Sequence, residues 1–163
     1  MASEGIVEIT QGGKYIVSVA SQREIRDVCA ARLLIEENAL LTLCRTASEK
    51  EICALEELAK QLEKYFQSDS VDKYFLSDMH FHKKIVELAG NNCILLLHRI
   101  LINRYTVVRH TTGMILVHNG EACDEHAGMV EAVRNRDEAT ASTLIRRHIL
   151  QMEERLNAKV NDN

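Results

Sequence analysis

Not one proline interrupts the 163 residues of this chain, and glycine occurs only 7 times. Proline breaks helix interiors, and an all-β fold needs turn residues roughly every 8 to 12 positions. The sequence therefore predicts long uninterrupted helices. Apolar residues make up 46% of the chain and charged residues 27%, enough to pack one ordinary core without a disulfide or metal staple. The five cysteines (Cys29, Cys44, Cys53, Cys93, Cys123) are scattered, with no C-x-x-C. They read as reduced, mostly core thiols of a cytoplasmic protein.

Charge and hydropathy narrow the partners. The net charge is -4, whereas a module that neutralises phosphates carries a basic excess. The chain is not expected to grip DNA by itself. No apolar run reaches the roughly 18 residues of a membrane helix, and the first residues lack the basic start and apolar stretch of a signal peptide. No membrane association is expected.

Periodicity divides the chain. Gly5-Ile-Val-Glu-Ile-Thr10 alternates, Gln11-Gly-Gly13 punctuates, and Tyr15-Ile-Val-Ser18 resumes, as in a short β-hairpin. From residue 20 the pattern is helical throughout. Ser21-Gln-Arg-Glu24 reads as a capping box opening a helix to about Cys44, and Thr46-Ala-Ser-Glu49 as a second box opening the next. A third helix is expected over about Val71 to Ala89, stopped by Gly90-Asn91. A fourth, from about Cys93 to Thr111, is apolar nearly all round, which suits a central or interfacial helix. After a loop over 112–121 come helices from Ala122 to Arg134 and, capped by Asp137, on to about Lys159. The expected fold is an all-α antiparallel bundle of about six helices behind a short β-hairpin, with 1–19 set apart from 20–163.

Asp78 and His82 stand four apart and so share one helix face. Alone that pair is weak. His126 lies ten residues before Arg136, however, and His148 twelve after it, roughly 15 and 18 Å along two antiparallel helices. Both histidines then sit at nearly the same level. Their neighbours Met129, Val130, Val133, Leu144, Ile145 and Met152 are apolar at helical spacing, which turns the histidines inward. Two satisfied core histidines are the plain alternative. Three imidazoles and one carboxylate suit a divalent transition metal: zinc first, with nickel, iron, manganese or cobalt also compatible. Such a site carries about one positive charge and attracts a small carboxylate.

Arg32 falls on the apolar stripe of the first helix. It either pairs with Glu36 one turn on or offers its fork to a ligand carboxylate. Asn103 and Arg104 are weaker candidates for the same pocket. His80, His98, His110 and His118 have no partner at ligand spacing and read as surface or packing residues.

These residues resemble the FCD effector-binding domain of GntR-family transcription regulators, in the FadR subfamily. The resemblance runs from about Ile25 to Glu153. It rests on Arg32-Leu-Leu-Ile-Glu36, Asp78-Met-His-Phe-His82 with Ala89-Gly-Asn91, Glu125-His126, Asn135-Arg-Asp137 with Ala141, and His148. It implies Asp78, His82, His126 and His148 as metal ligands, Arg32 as an effector contact, a small organic acid as effector, and a homodimer. A full family member also carries an N-terminal winged helix-turn-helix. Here residues 1–19 resemble only its wing and linker, with the recognition helix absent, so DNA binding is expected only through that missing domain. Two other readings are a metal-dependent hydrolase or lyase acting on a small organic acid, which needs a free general base, and a plain helical dimerisation module.

Overall fold

The structure is a computed structural model that describes residues 7–9, 15–17, 20–68, 70–112 and 120–161. Two three-residue strands, β1 (Val7–Ile9) and β2 (Tyr15–Val17), pair antiparallel with Val7 opposite Val17. They fall where the hairpin is expected. Its turn, the boundary at 19 and His118 lie outside the described residues.

Six helices follow: α1 (Gln22–Thr46), α2 (Glu49–Gln67), α3 (Val71–Leu88), α4 (Asn92–Thr111), α5 (Gly120–Arg134) and α6 (Glu138–Asn161). None of the described helices is long and apolar enough to cross a membrane. The caps are local chemistry. Ser21 accepts from the Glu24 amide at 3.2 Å, but the Glu24 carboxylate turns to Arg104 instead of closing the box. The second capping box is Ser48 with Glu51, two residues after the expected one, and both halves are made. Thr46-x-x-Glu49 and Ser48-x-x-Glu51 overlap in sequence. α1 runs through Thr46, and Ala47 is its extended C-cap, so only the serine is free to cap α2. Gly90 takes φ 79 at the end of α3, while Asn91 caps α4 by accepting from the Cys93 and Ile94 amides. Asp137 caps α6 through the Thr140 amide at 3.0 Å.

α1 is the central helix. It packs against α3, α4, α5 and α6, while α2 packs on α3 and α5. Its buried positions recur every three or four residues: Ile25, Val28, Cys29, Arg32, Glu36, Ala39, Leu40, Leu43 and Cys44. At about 1.5–3 kcal/mol per fully buried large apolar side chain, this stripe dominates the packing. Of the central and interfacial places expected for α4, the central one is not observed. It buries only His98, Tyr105, Val108 and Arg109, and Leu96, Leu97 and Ile100 are exposed. Of the cysteines, Cys29 and Cys44 are buried, but Cys53 and Cys93 are exposed and Cys123 is half-buried, all as free thiols. Fewer are core than expected.

The α5–α6 turn sets the level of everything on those two helices. Arg136 adopts φ 59, and its guanidinium donates to the carbonyls of Leu43, Cys44 and Ala47 at 3.3, 3.1 and 2.7 Å. The Leu43 carbonyl also takes the Ala47 amide at 2.9 Å, while those of Cys44 and Ala47 lie at the end of α1, where a helix runs out of its own donors. Arg136→Ala is expected to lower stability by roughly 1 kcal/mol, read as a shift in the urea midpoint. An unchanged midpoint would show that the turn holds its place without this clamp.

Candidate metal centre

The turn does bring His126 of α5 and His148 of α6 level, with ring centroids 4.6 Å apart. α3 supplies Asp78 and His82 from one face. All four residues are buried. One ligand atom from each lies within 4.8 Å of every other. His82 Nε2 is 3.1 Å from His148 Nε2 and 3.4 Å from His126 Nε2. Asp78 Oδ1 is 3.2, 3.8 and 3.9 Å from the Nε2 atoms of His126, His82 and His148. Four donors around an ion at zinc-like bond lengths would stand about 3.0–3.4 Å apart, so the set is nearly closed to that size. Phe81 walls one side, its ring 4.8 Å from that of His126.

Two further carboxylates orient the rings. His148 Nδ1 lies 2.9 Å from Glu125 Oε2, and Arg147 Nε donates to Glu125 Oε1 at 2.7 Å. His82 Nδ1 lies 2.8 Å from Glu36 Oε2, at ionic distance but outside hydrogen-bond alignment. A carboxylate so close still favours the proton on Nδ1. Both imidazoles then present Nε2 lone pairs to each other at 3.1 Å. Two lone pairs at that distance repel unless a cation or a shared proton lies between them. His126 differs: no carboxylate faces its buried Nδ1, and its Nε2 faces Asp78.

Arg32 is fully committed to α1's own carboxylate on one edge. Its Nε donates to Glu36 Oε1 at 2.8 Å and its Nη2 to Glu36 Oε2 at 3.2 Å. The ion-pair alternative is thus present, with both groups buried. Nη1 makes no such bond, and the guanidinium stacks on the Tyr105 ring at 4.2 Å. The other two ligand candidates do not reach the cluster. Arg104 ion-pairs with Glu24. Asn103 is exposed and lines a 330 Å³ groove between α3 and α4. α4 turns Tyr105 inward, and side chains one and two positions before it project about 100° and 200° away.

His98 is the clearest correction among the histidines. It is buried, and its Nε2 lies 3.0 Å from Glu36 Oε1. His98, Tyr105 and Arg109 stand at offsets of 0, 7 and 11, one stripe of polar groups on an apolar helix. That spacing was the signal to find them. Glu125 carried no comparable signal, because its neighbour Arg147 lies on another helix.

Electrostatics follow from burial and partners. Burial disfavours the charged form of Glu36, yet Arg32, His82 and His98 hold its carboxyl well below the usual range. Burial also opposes ionised Asp78, but the His126 contact and the nearby imidazoles hold it low. Burial lowers His126 to about 4 and lowers His148 as well, against the pull of Asp78 and Glu125.

The family model of the FCD domain matches residues 27–151. The chain belongs to the FCD domain family. The HTH-type transcriptional repressor NanR of Cronobacter sakazakii is 26% identical over 121 residues, which are 72% of this chain and 45% of that protein. The chain thus spans less than half the length of such curated relatives. By structure it is similar to E. coli McbR/YncC, with TM-score 0.83 and 11% identity over 97% of this chain and 80% of that one. It is also similar to the metal-free FCD domain of TM0439, with TM-score 0.71 and 21% identity over 90% of this chain and all of that one. NanR is by name a transcriptional repressor and TM0439 a transcriptional regulator, and neither likeness supports the hydrolase or lyase alternative. Glu36 and Glu125, the buried carboxylates behind the histidine rings, are bound to Arg32 and Arg147 and are not free to serve as a base.

Two outcomes follow from this geometry. Glu125→Gln should weaken zinc binding 10- to 100-fold by loosening His148, measured by competition with a chromophoric chelator; unchanged affinity would remove Glu125 from the site. For metal-free protein, His126 titrates near 4 folded and near 6.5 unfolded. In that window the unfolded chain binds more protons, so stability is complete above about pH 6.5 and falls toward pH 4, by on the order of 3 kcal/mol. A melting temperature that stays level from pH 7 to pH 4 would contradict this.

Proposed function

We propose that this FCD domain is the effector-sensing part of a GntR-type bacterial transcription regulator of the FadR subfamily. Asp78, His82, His126 and His148 hold a divalent transition metal, with zinc the best match to three imidazoles and a carboxylate. The observation that carries the reading is the approach of His82 Nε2 to His148 Nε2 at 3.1 Å, with a carboxylate behind each ring. A shared proton relieves one such contact, whereas a divalent cation serves all four ligand atoms at once.

When bound, the ion supplies positive charge and coordination positions open to a small carboxylate. The chain's own part is to receive that carboxylate's outer oxygen on Arg32 Nη1, the edge that Glu36 leaves free. Arg32 lies on the central helix, so contact there bears on α3 and α4 together. A ligand biases two helix arrangements only by binding one of them better. In the intact regulator, that bias would act on DNA binding through an N-terminal winged helix-turn-helix, of which residues 1–19 are the wing and linker. The exposed Leu96, Leu97 and Ile100 of α4 suit a homodimer contact, since an uncovered apolar patch invites a partner. Such a regulator works in the cytoplasm.

Calorimetry on zinc-loaded protein with small hydroxy- and dicarboxylic acids checks this reading. Binding should appear for some acid and should drop at least tenfold after metal removal or in His148→Ala. Equal affinity with and without metal would overturn the metal's role.

A further inference from the structure

One buried cation is not neutralised by the network around Glu36. Arg109, in the last turn of α4, is 5% exposed. Its guanidinium stacks on the Phe75 ring of α3 at 4.0 Å and lies 6.0 Å from the Tyr105 ring. No carboxylate pairs with it among the described residues, and its Nη1 is buried without a hydrogen-bond partner. The Tyr105 hydroxyl and Asp78 Oδ2 are also buried and unpartnered. A buried arginine without an anion, beside an unused hydroxyl, is costly unless something supplies the missing acceptor. The α4 C-terminus offsets part of that charge but gives Nη1 no acceptor.

The places of the three groups suggest what is missing. The Tyr105 ring is shared by the two arginines, under Arg32 at 4.2 Å and 6.0 Å from Arg109. The phenol is within electrostatic reach of Arg32, Arg109 and Asp78. The donors of Arg32, Tyr105 and Arg109 thus gather around one ring, with Asp78 of the metal cluster in reach. An acid with a single carboxylate uses only the near end.

We infer that Arg109 and Tyr105 form a second oxyanion subsite, so that the effector is a small acid with two anionic groups, one toward the metal cluster and one at Arg109. This inference rests on the sensor reading above. The second group is a carboxylate or a phosphate, which share the chemistry that a guanidinium and a phenol recognise.

The test uses three matched 2-hydroxy acids on zinc-loaded protein: lactate, malate and 3-phosphoglycerate. Malate or 3-phosphoglycerate should bind at least tenfold tighter than lactate, and the winner names the second group. Arg109→Gln should shrink that preference below threefold while lactate and zinc affinities stay as in wild type. Tyr105→Phe, which removes only a hydroxyl, should shrink it partway. No preference in wild type, no binding of any of the three, or an equal loss for all three in Arg109→Gln overturns the subsite. Zinc titration separates this from failure of the parent reading. If zinc does not bind, malate or 3-phosphoglycerate should still raise the melting temperature of wild type and not of Arg109→Gln; no shift in either protein also overturns it.

Discussion

The arrangement depends on one buried carboxylate. Glu36 has no solvent exposure, and it accepts from Arg32 twice and contacts His98 and His82. A lone ion in that position would cost several kcal/mol. Arg32, one turn away on the same helix, cancels its charge, while His98 lies at hydrogen-bond distance and His82 at ionic distance. The pair therefore joins α1 to α3 and α4 at a depth where apolar packing alone would leave ring orientation undefined.

The same logic recurs across the cluster and leaves a definite charge. Glu125 is neutralised by Arg147 as it holds His148, just as Glu36 is neutralised by Arg32. Both supporting carboxylates can thus orient imidazoles without adding net charge. Asp78 is the remaining anion among the buried groups at the cluster. A divalent ion held there would leave about one positive charge, which is what makes a small anion a fitting ligand rather than a second cation.

How much of this was legible in the sequence depends on contrast. The missing prolines and the serine, asparagine and aspartate caps gave six helices to within a few residues. Overlapping S/T-x-x-E patterns misplaced one cap, because only the length of α1 decides between them. His126 and His148 were legible because a short turn converts distance along the chain into height along two helices. α4 was not. A helix apolar on every side offers no stripe to orient, so Asn103 and Arg104 were as plausible as Tyr105 until the bundle fixed its rotation. Arg32 was ambiguous for a different reason: ion pairing and ligand binding need the same buried position, and the structure shows the first while leaving one nitrogen over for the second.

That leftover capacity separates a structural ion pair from a receptor. A guanidinium has five donors, and one carboxylate in bidentate contact takes two of them. Glu36 thus fixes Arg32 rigidly without exhausting it, and a fixed donor loses little entropy when a ligand arrives. Arg109 is the complementary case, held by aromatic stacking rather than by an anion, so its donors are oriented but unspent. A bundle that only needed stability would gain by replacing such groups with apolar ones of similar volume. Here two buried arginines share one tyrosine ring with donors left over, which apolar packing does not require and the proposed anion would use.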